Sequence, residues 1–302
     1  AFCVPGESYL DLLDGLYAQR NRVQLVTCRF EAGAVHMAEA YGKLTGKPGV
    51  AIVTRGPGAC HAAIGVHVAF QDSTPLVLLV GQIPFEETDR ESFQEVDYRK
   101  MFAPLAKWVT QIDDAARIPE LMAHAFDVAR SGRPGPVVLA LPEDMLSAES
   151  GVPDLTPAPR PVPGISDAQL AAITGALAGA ERPLVIPGGS VWTQEDADRL
   201  ARFAETWGLP VAVPFRRQHL FDNRLPSYVG DLGVGMNPKL GEALREADCI
   251  LSLGSRMGDT LTNGYDLMSP AAQGRRIIHV YPDPDEIGHL WRADPGIAAC
   301  PK

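Results

Sequence analysis

The chain has 302 residues, 46% of them hydrophobic and 21% charged, with 29 glycines and 26 prolines; this is the profile of a soluble globular protein with tight connections and room for two domains of about 150 residues each. A formal net charge of −10 without any run of Lys and Arg excludes a general nucleic-acid binder, because phosphate neutralisation needs basic patches. Cys3, Cys28, Cys60, Cys249 and Cys300 are scattered and lack CxxC spacing, which argues against a disulfide framework or a zinc site and fits a reducing cytoplasm; no apolar stretch approaches the roughly 18 residues of a membrane span, and no signal peptide is visible.

Ala1 to Gly6 reads as the end of a strand entering a loop with nothing before it, so the natural polypeptide is expected to begin earlier. Tyr9, Leu12, Leu13, Leu16 and Tyr17 give Glu7 to Gln19 helical periodicity, and the apolar run Val23 to Val26 predicts a buried strand. Small and apolar residues at helical spacing follow Glu31 as far as a cap near Gly46, so Glu31 sits where strand turns into helix. Strand Val50 to Val53, loop Thr54 to Gly58, helix Ala59 to Phe70 and strand Pro75 to Val80 come next. A longer polar connection carries Phe93-Gln94-Glu95, then a helix from Ile118 to Arg130 and a strand from Pro136 to Leu141.

Five prolines, Pro153, Pro157, Pro159, Pro161 and Pro163, favour an extended spacer and exclude helix. They place a linker at 149–164 between domains 1–148 and 165–302. The second half repeats the alternation with helix Asp167 to Ala178, strand Pro183 to Ile186, the turn Gly188-Gly189-Ser190, helix Glu195 to Trp207 and strand Pro210 to Val213. Helix Pro238 to Ala247 and strands Cys249 to Leu253 and Arg276 to Tyr281 complete it. Repeated units of this size predict an α/β protein of two doubly wound, parallel-sheet, Rossmann-like domains. In such sheets ligands sit beyond the carboxyl ends of the strands, which is where Glu31 falls.

Alone, an acid in the first turn of a helix only complements the helix dipole. Together with Gly56-Pro57-Gly58, Gly81-Gln82, Phe93-Gln94-Glu95 and Gly132-Arg133-Pro134-Gly135-Pro136, however, it resembles in order and spacing the N-terminal domain of thiamine diphosphate-dependent enzymes of the acetolactate synthase and 2-oxo acid decarboxylase type. The resemblance covers residues 1–146. Over residues 165–300 the central domain of that family is similar more loosely, through Gly188-Gly189, Tyr228 to Gly233, Leu253-Gly254-Ser255-Arg256 and Asp283 to Gly288.

The resemblance implies thiamine diphosphate as cofactor. A carboxyl bonded to the pyrimidine N1′ favours the imino tautomer, whose exocyclic nitrogen takes the proton of the thiazolium C2. Glu31 is the candidate for that carboxyl, in a setting of Phe30, Ala32, Gly33 and Ala34 that keeps water away. Pro5, Gly6, Gly56, Pro57 and Gly58 are candidates for seating the pyrimidine. His61 follows that loop where acetolactate synthases carry Asn, and would relay protons or bind a carboxylate; His67, on another face, reads as a packed, hydrogen-bonded histidine. Gln94 matches a side chain reaching the active site across a subunit interface, or is a polar loop residue. Arg133 matches an arginine contacting FAD, or is a solvated charge.

Acetolactate synthases have Leu-Pro-Lys-Asp after the last strand of this domain, whereas this chain has Leu141-Pro142-Glu143-Asp144, a charge reversal at a position lining the substrate channel. In the second half Arg256 and Asp283 fall where flavin-binding members contact FAD, although Met257-Gly258-Asp259 replaces their Phe-Asp-Asp. The basic pair Arg216-Arg217 stands in a loop suited to a pyrophosphate or simply to solvent. FAD is left open.

The family anchors the diphosphate and its Mg2+ in a third, C-terminal domain through Gly-Asp-Gly and a later Asn-Asn, neither of which occurs here; no metal ligand is assigned in this chain. The expectation is therefore the N-terminal and central part of a longer enzyme, inactive by itself. It would decarboxylate a 2-oxo acid or join it to a second carbonyl, as a lyase or transferase, in a homodimer or homotetramer whose site lies between subunits, with no nucleic acid and no membrane. The alternatives are a 2-oxo acid decarboxylase, an acyl-CoA lyase, or a non-catalytic nucleotide-binding regulatory module.

Overall fold

Strands and helices alternate through both halves, and each half closes on its own six-stranded, all-parallel sheet. The computed structural model describes residues 1–155, 162–189, 192–268 and 274–302. The chain divides into two units, residues 1–159 and 160–302. Pro157, Pro159, Pro161 and Ser190 lie outside the described residues.

The first unit runs β1 (Phe2–Cys3), α1 (Leu10–Ala18), β2 (Val26–Thr27), α2 (Glu31–Thr45), β3 (Gly49–Val53), α3 (Pro57–Gln71), β4 (Leu76–Gln82), α4 (Tyr98–Phe102), β5 (Trp108–Gln111), α5 (Ile118–Arg130), β6 (Pro136–Pro142) and α6 (Glu143–Ser147). Its strand order is β2-β1-β3-β4-β6-β5. All seven residues of β4 and all seven of β6 are buried, which is why these stretches read as continuous apolar runs rather than alternating ones: helices cover both faces of a parallel sheet. The inner residues of α2, among them Ala34, Val35 and Ala38, and of α3, among them Ala59, Ala62 and Val66, pack into the same core as Leu78 and Val80.

Three expectations change here. The strand expected over Val23 to Val26 is a two-residue edge strand, Val26–Thr27, with no buried residue, because among the described residues it has β1 alone as neighbour. The helix expected from Glu7 begins as one 3-10 turn, Glu7–Tyr9, before α1. The loop expected through Gly58 is shorter, since Pro57 and Gly58 already form the first turn of α3; proline is well placed there, as its missing N–H has no partner to lose.

The second unit runs α7 (Asp167–Ala178), β7 (Pro183–Pro187), α8 (Gln194–Trp207), β8 (Val211–Pro214), β9 (Tyr228–Leu232), α9 (Pro238–Glu246), β10 (Cys249–Leu253), α10 (Asp259–Thr262), β11 (Arg276–Tyr281) and β12 (Gly296–Ala298). Its strand order is β12-β11-β10-β7-β8-β9. Both α7 and α8 start on reciprocal capping boxes, Ser166 with Gln169 and Thr193 with Asp196, which satisfy backbone N–H groups that the helix cannot.

Candidate active site

In the first sheet the chain leaves β1 for β2 on one side and then returns to β3 on the other. The crevice between the diverging loops at the carboxyl ends of β1 and β3 is the place an open parallel sheet offers a ligand. Pro5 and Gly6 leave β1 there, and Thr54 to Gly58 leave β3. The two loops are tied together: Ser8 Oγ and Thr54 Oγ1 lie 2.8 Å apart, and the Arg55 N–H donates to Ser8 Oγ over 3.4 Å. The Tyr9 hydroxyl donates to the Val4 carbonyl, and burial pushes its pKa above the usual phenol range.

Glu31 is the first residue of α2, held at the rim by an extended Phe30 after β2. Its side chain is 12% exposed, and its Oε2 lies 3.0 Å from Nδ1 of His61 on α3. The His61 ring also packs on Phe30, with ring centroids 4.9 Å apart. The shielding expected around Glu31 is therefore partial: Ala32 and Ala34 are buried while Phe30 is exposed. His67 is exposed rather than packed, because the inner face of α3 is taken by Ala62, Gly65, Val66 and Ala69.

Gly56 and Gly58 shape the floor. Gly56 adopts φ of 59°, a region that side chains avoid, and its N–H donates to the Tyr98 hydroxyl over 2.8 Å; burial pushes that phenol up to about 12. A Cβ on Gly58 would stand 2.8 Å from Thr54 Cγ2 and 3.5 Å from Glu31 Oε1, so the second carboxylate oxygen faces a cradle that only glycine leaves open. A flat heterocycle with a ring nitrogen fits this donor set: bare backbone below and one carboxyl at the edge.

Gln94 belongs to the connection after β4, and its Cβ would lie 2.8 Å from a Cβ placed on Gly56. It therefore rides directly over the glycine loop, at φ of 65°, a conformation costing a non-glycine residue of order 1 kcal/mol or more. Below it Arg55, only 11% exposed, donates through Nε to the Phe93 carbonyl over 3.2 Å. Its two other nitrogens meet Glu143 and, at 3.5 Å, Glu7. The charge reversal expected at Glu143 is thus not a bare negative charge at the mouth, since the Arg55 guanidinium neutralises it. Arg55 was overlooked as a site residue; the signal was the unexplained acid at 143, which asks for a compensating cation nearby.

Arg133 stands before β6, at the opposite, amino edge of the sheet, where Nε donates to Ser73 Oγ over 3.0 Å and Nη2 to the Phe70 carbonyl over 2.6 Å. It is not brought to the β1/β3 crevice. In the second unit the equivalent switch point lies between β7 and β10, where Gly188 packs against the backbone of Ser255. Arg256 reaches Glu286 at 2.9 Å, Asp283 caps the N–H of Asp285, and the buried His279 donates to the Ser255 carbonyl over 2.9 Å. Burial lowers the His279 pKa. Arg216 and Arg217 do not form a solvated pair: Arg217 is buried, while Arg216 lies over the Phe215 ring. Among the described residues no cluster of His, Cys, Asp and Glu is placed to hold a metal ion, and no helix is long and apolar enough to cross a membrane.

Two doubly wound units, each with a crevice at its switch point and the first with a shielded carboxyl on that crevice, define a cofactor-binding α/β protein. The chain belongs to the thiamine pyrophosphate enzyme family: residues 1–101 match the family model described as "Thiamine pyrophosphate enzyme, N-terminal TPP binding domain", and residues 170–302 match its central domain. It is 33% identical over 300 residues to a probable acetolactate synthase large subunit of Methanocaldococcus jannaschii, covering 97% of this chain and 50% of that protein. It is 33% identical to the acetolactate synthase large subunit of Corynebacterium glutamicum (97% and 47% covered) and 32% identical to the isozyme 2 large subunit of Escherichia coli (97% and 52% covered). The chain thus spans about half the length of the curated relatives it matches.

Proposed function

We propose that this chain supplies the pyrimidine-binding domain, residues 1–148, and the central domain, residues 165–302, of a thiamine diphosphate-dependent enzyme that acts on a 2-oxo acid in the manner of an acetolactate synthase. The observation carrying this reading is Glu31: a shielded carboxyl at the β1/β3 switch point, one oxygen on His61 and the other turned to the Gly58 cradle. When bound, thiamine diphosphate supplies the nucleophilic carbon and the electron sink for decarboxylating the acid. Glu31 would hold the pyrimidine N1′, and Pro5, Gly6 and Gly56 to Gly58 would seat the ring. His61 would fix the carboxyl and face the reacting carbonyl, with Gln94 reaching over the glycine loop to the substrate or its partner. Mg2+ and the diphosphate would be held by residues outside this chain.

A homodimer or homotetramer is supported by the exposed apolar stripe Met37, Tyr41 and Leu44 on α2 and by the exposed Ile64 on α3, apolar surface of the kind that marks an interface. In the second unit the β7/β10 crevice, with Arg256 and Asp283 at its rim, is the place for FAD, should the enzyme carry it; absorbance of the isolated full-length protein decides that. The central test is Glu31→Gln in the full-length enzyme. Loss of C2 proton exchange on the bound cofactor is expected, and retention of exchange and turnover would sink the assignment.

A further inference from the structure

The connection over the glycine loop contains a tight turn held in one of the two geometries its hydrogen bond allows. The N–H of Glu95 donates to the Ser92 carbonyl over 3.0 Å, so Phe93 and Gln94 are the central residues of a four-residue turn. Gln94 has φ of 65° while Phe93 is not in the left-handed region, which is the pattern of a type II turn. A type I turn makes the same Ser92–Glu95 bond. The two differ by a flip of the peptide between Phe93 and Gln94, and type II ordinarily requires glycine or asparagine where this chain has glutamine.

The carbonyl of that very peptide accepts from Arg55 Nε. A flip would carry the Phe93 oxygen away from the guanidinium. Arg55 itself has little freedom: it is nearly buried, its Nη1 meets Glu143 on the first turn of α6, and its Nη2 meets Glu7. The same turn of α6 pins the start of the connection, since Asp144 Oδ1 accepts from the Phe85 N–H over 2.8 Å. Glu95 holds the turn from the other side, its carboxylate accepting from the N–H groups of Asp89 and Ser92.

We propose that Arg55, aimed by Glu143, is a positioning residue that selects the type II setting of the Ser92–Glu95 turn and so directs Gln94 over Gly56. The inference rests on the reading of Gln94 as a site residue for its functional meaning, but not for its geometry. It also gives the acid at 143 a purpose: it orients a guanidinium that has to serve a carbonyl as well as a carboxylate, a division of donors that a single ammonium cannot reproduce.

Crystal structures of the full-length wild-type protein, Arg55→Lys and Arg55→Gln test it. The wild type is expected to keep Gln94 at positive φ, and both variants to relax to a type I turn with φ near about −90°. Arg55→Lys keeps the charge opposite Glu143, which guards against simple misfolding. Adding Gln94→Gly to Arg55→Lys should restore positive φ, because glycine takes that region unaided. Gln94 at positive φ in either single variant would overturn the inference. In the full-length enzyme, Arg55→Lys should lower kcat/KM for the 2-oxo acid roughly ten- to a hundredfold through the displaced side chain, with the Kd for thiamine diphosphate unchanged. A flipped turn with unaltered kcat/KM would leave Arg55 as the selector of the turn and remove Gln94 from the proposed function.

Discussion

Glu31 and His61 stand on different helices, and Oε2 of one meets Nδ1 of the other at 3.0 Å. The contact divides the carboxylate: one oxygen is occupied by an imidazole that is half exposed, the other faces the Gly58 cradle. Orientation of the oxygen facing Gly58 therefore depends on His61, which in the proposed function need not touch the cofactor.

Glu31→Gln in the full-length enzyme removes the ionisable group and is expected to slow C2 proton exchange by about a hundredfold or more, read by deuterium exchange on the bound cofactor. His61→Ala should cost less, because the carboxyl survives but loses its anchor. Equal effects of the two substitutions would contradict this division of labour.

Gly58→Ala places a methyl 2.8 Å from Thr54 Cγ2. Overpacking of this kind costs about 1–3 kcal/mol. The expected outcome is a lower Tm and, from the filled cradle, weaker thiamine diphosphate binding, measured by calorimetry on the full-length protein.

Glu39 of α2 is buried, and Thr74 Oγ1 donates to its Oε1 over 3.0 Å. Thr74→Val keeps the shape and deletes the donor, leaving an acceptor without that partner at a cost of about 1–3 kcal/mol. Urea unfolding should show this loss without any change in cofactor affinity, since the pair lies away from the crevice on the inner side of α2.

His279 gives the second unit a pH dependence. Burial lowers its folded pKa, so below the ordinary histidine value, about 6.5, the unfolded chain binds a proton that the folded one resists. Stability is fully present above that pH and falls as pH drops towards the folded pKa, by at most about 1.4 kcal/mol per pH unit. Thermal scans from pH 7 to 5 should show the decline, and His279→Gln should flatten it.

Ile64→Asp puts a charge in place of an exposed apolar side chain on α3. Light scattering of the full-length protein is expected to show a shift towards monomer with the circular dichroism spectrum unchanged; an unaltered mass would place the interface elsewhere.

Much of the fold was legible because parallel strands buried on both faces are uninterrupted apolar runs: Cys249–Leu253 and Arg276–Tyr281 form strands over the expected residues. What escaped was short or polar. Trp108–Gln111 is an edge strand with no buried residue, Tyr228–Leu232 is another edge strand, and Gly296–Ala298 has only three residues. For the candidate site, Glu31 and the glycine loop stand out in the sequence only through the resemblance, in order and spacing, to the family. The contribution of Arg55 does not, because its partners Glu7, Phe93 and Glu143 come from three distant segments, and only the sheet's carboxyl edge brings them together.

Strand β1 has two residues, yet it is the hinge pin of the first sheet: Phe2 and Cys3 pair with Val26 and Thr27 on one side and with Ala51 and Ile52 on the other. Everything between Arg20 and Phe30 joins the sheet through that pin. Phe2 and Cys3 are therefore the mounting of Glu31, and deleting them would unship β2 and let the carboxyl drift from the crevice while the central strands β3, β4 and β6 stay folded.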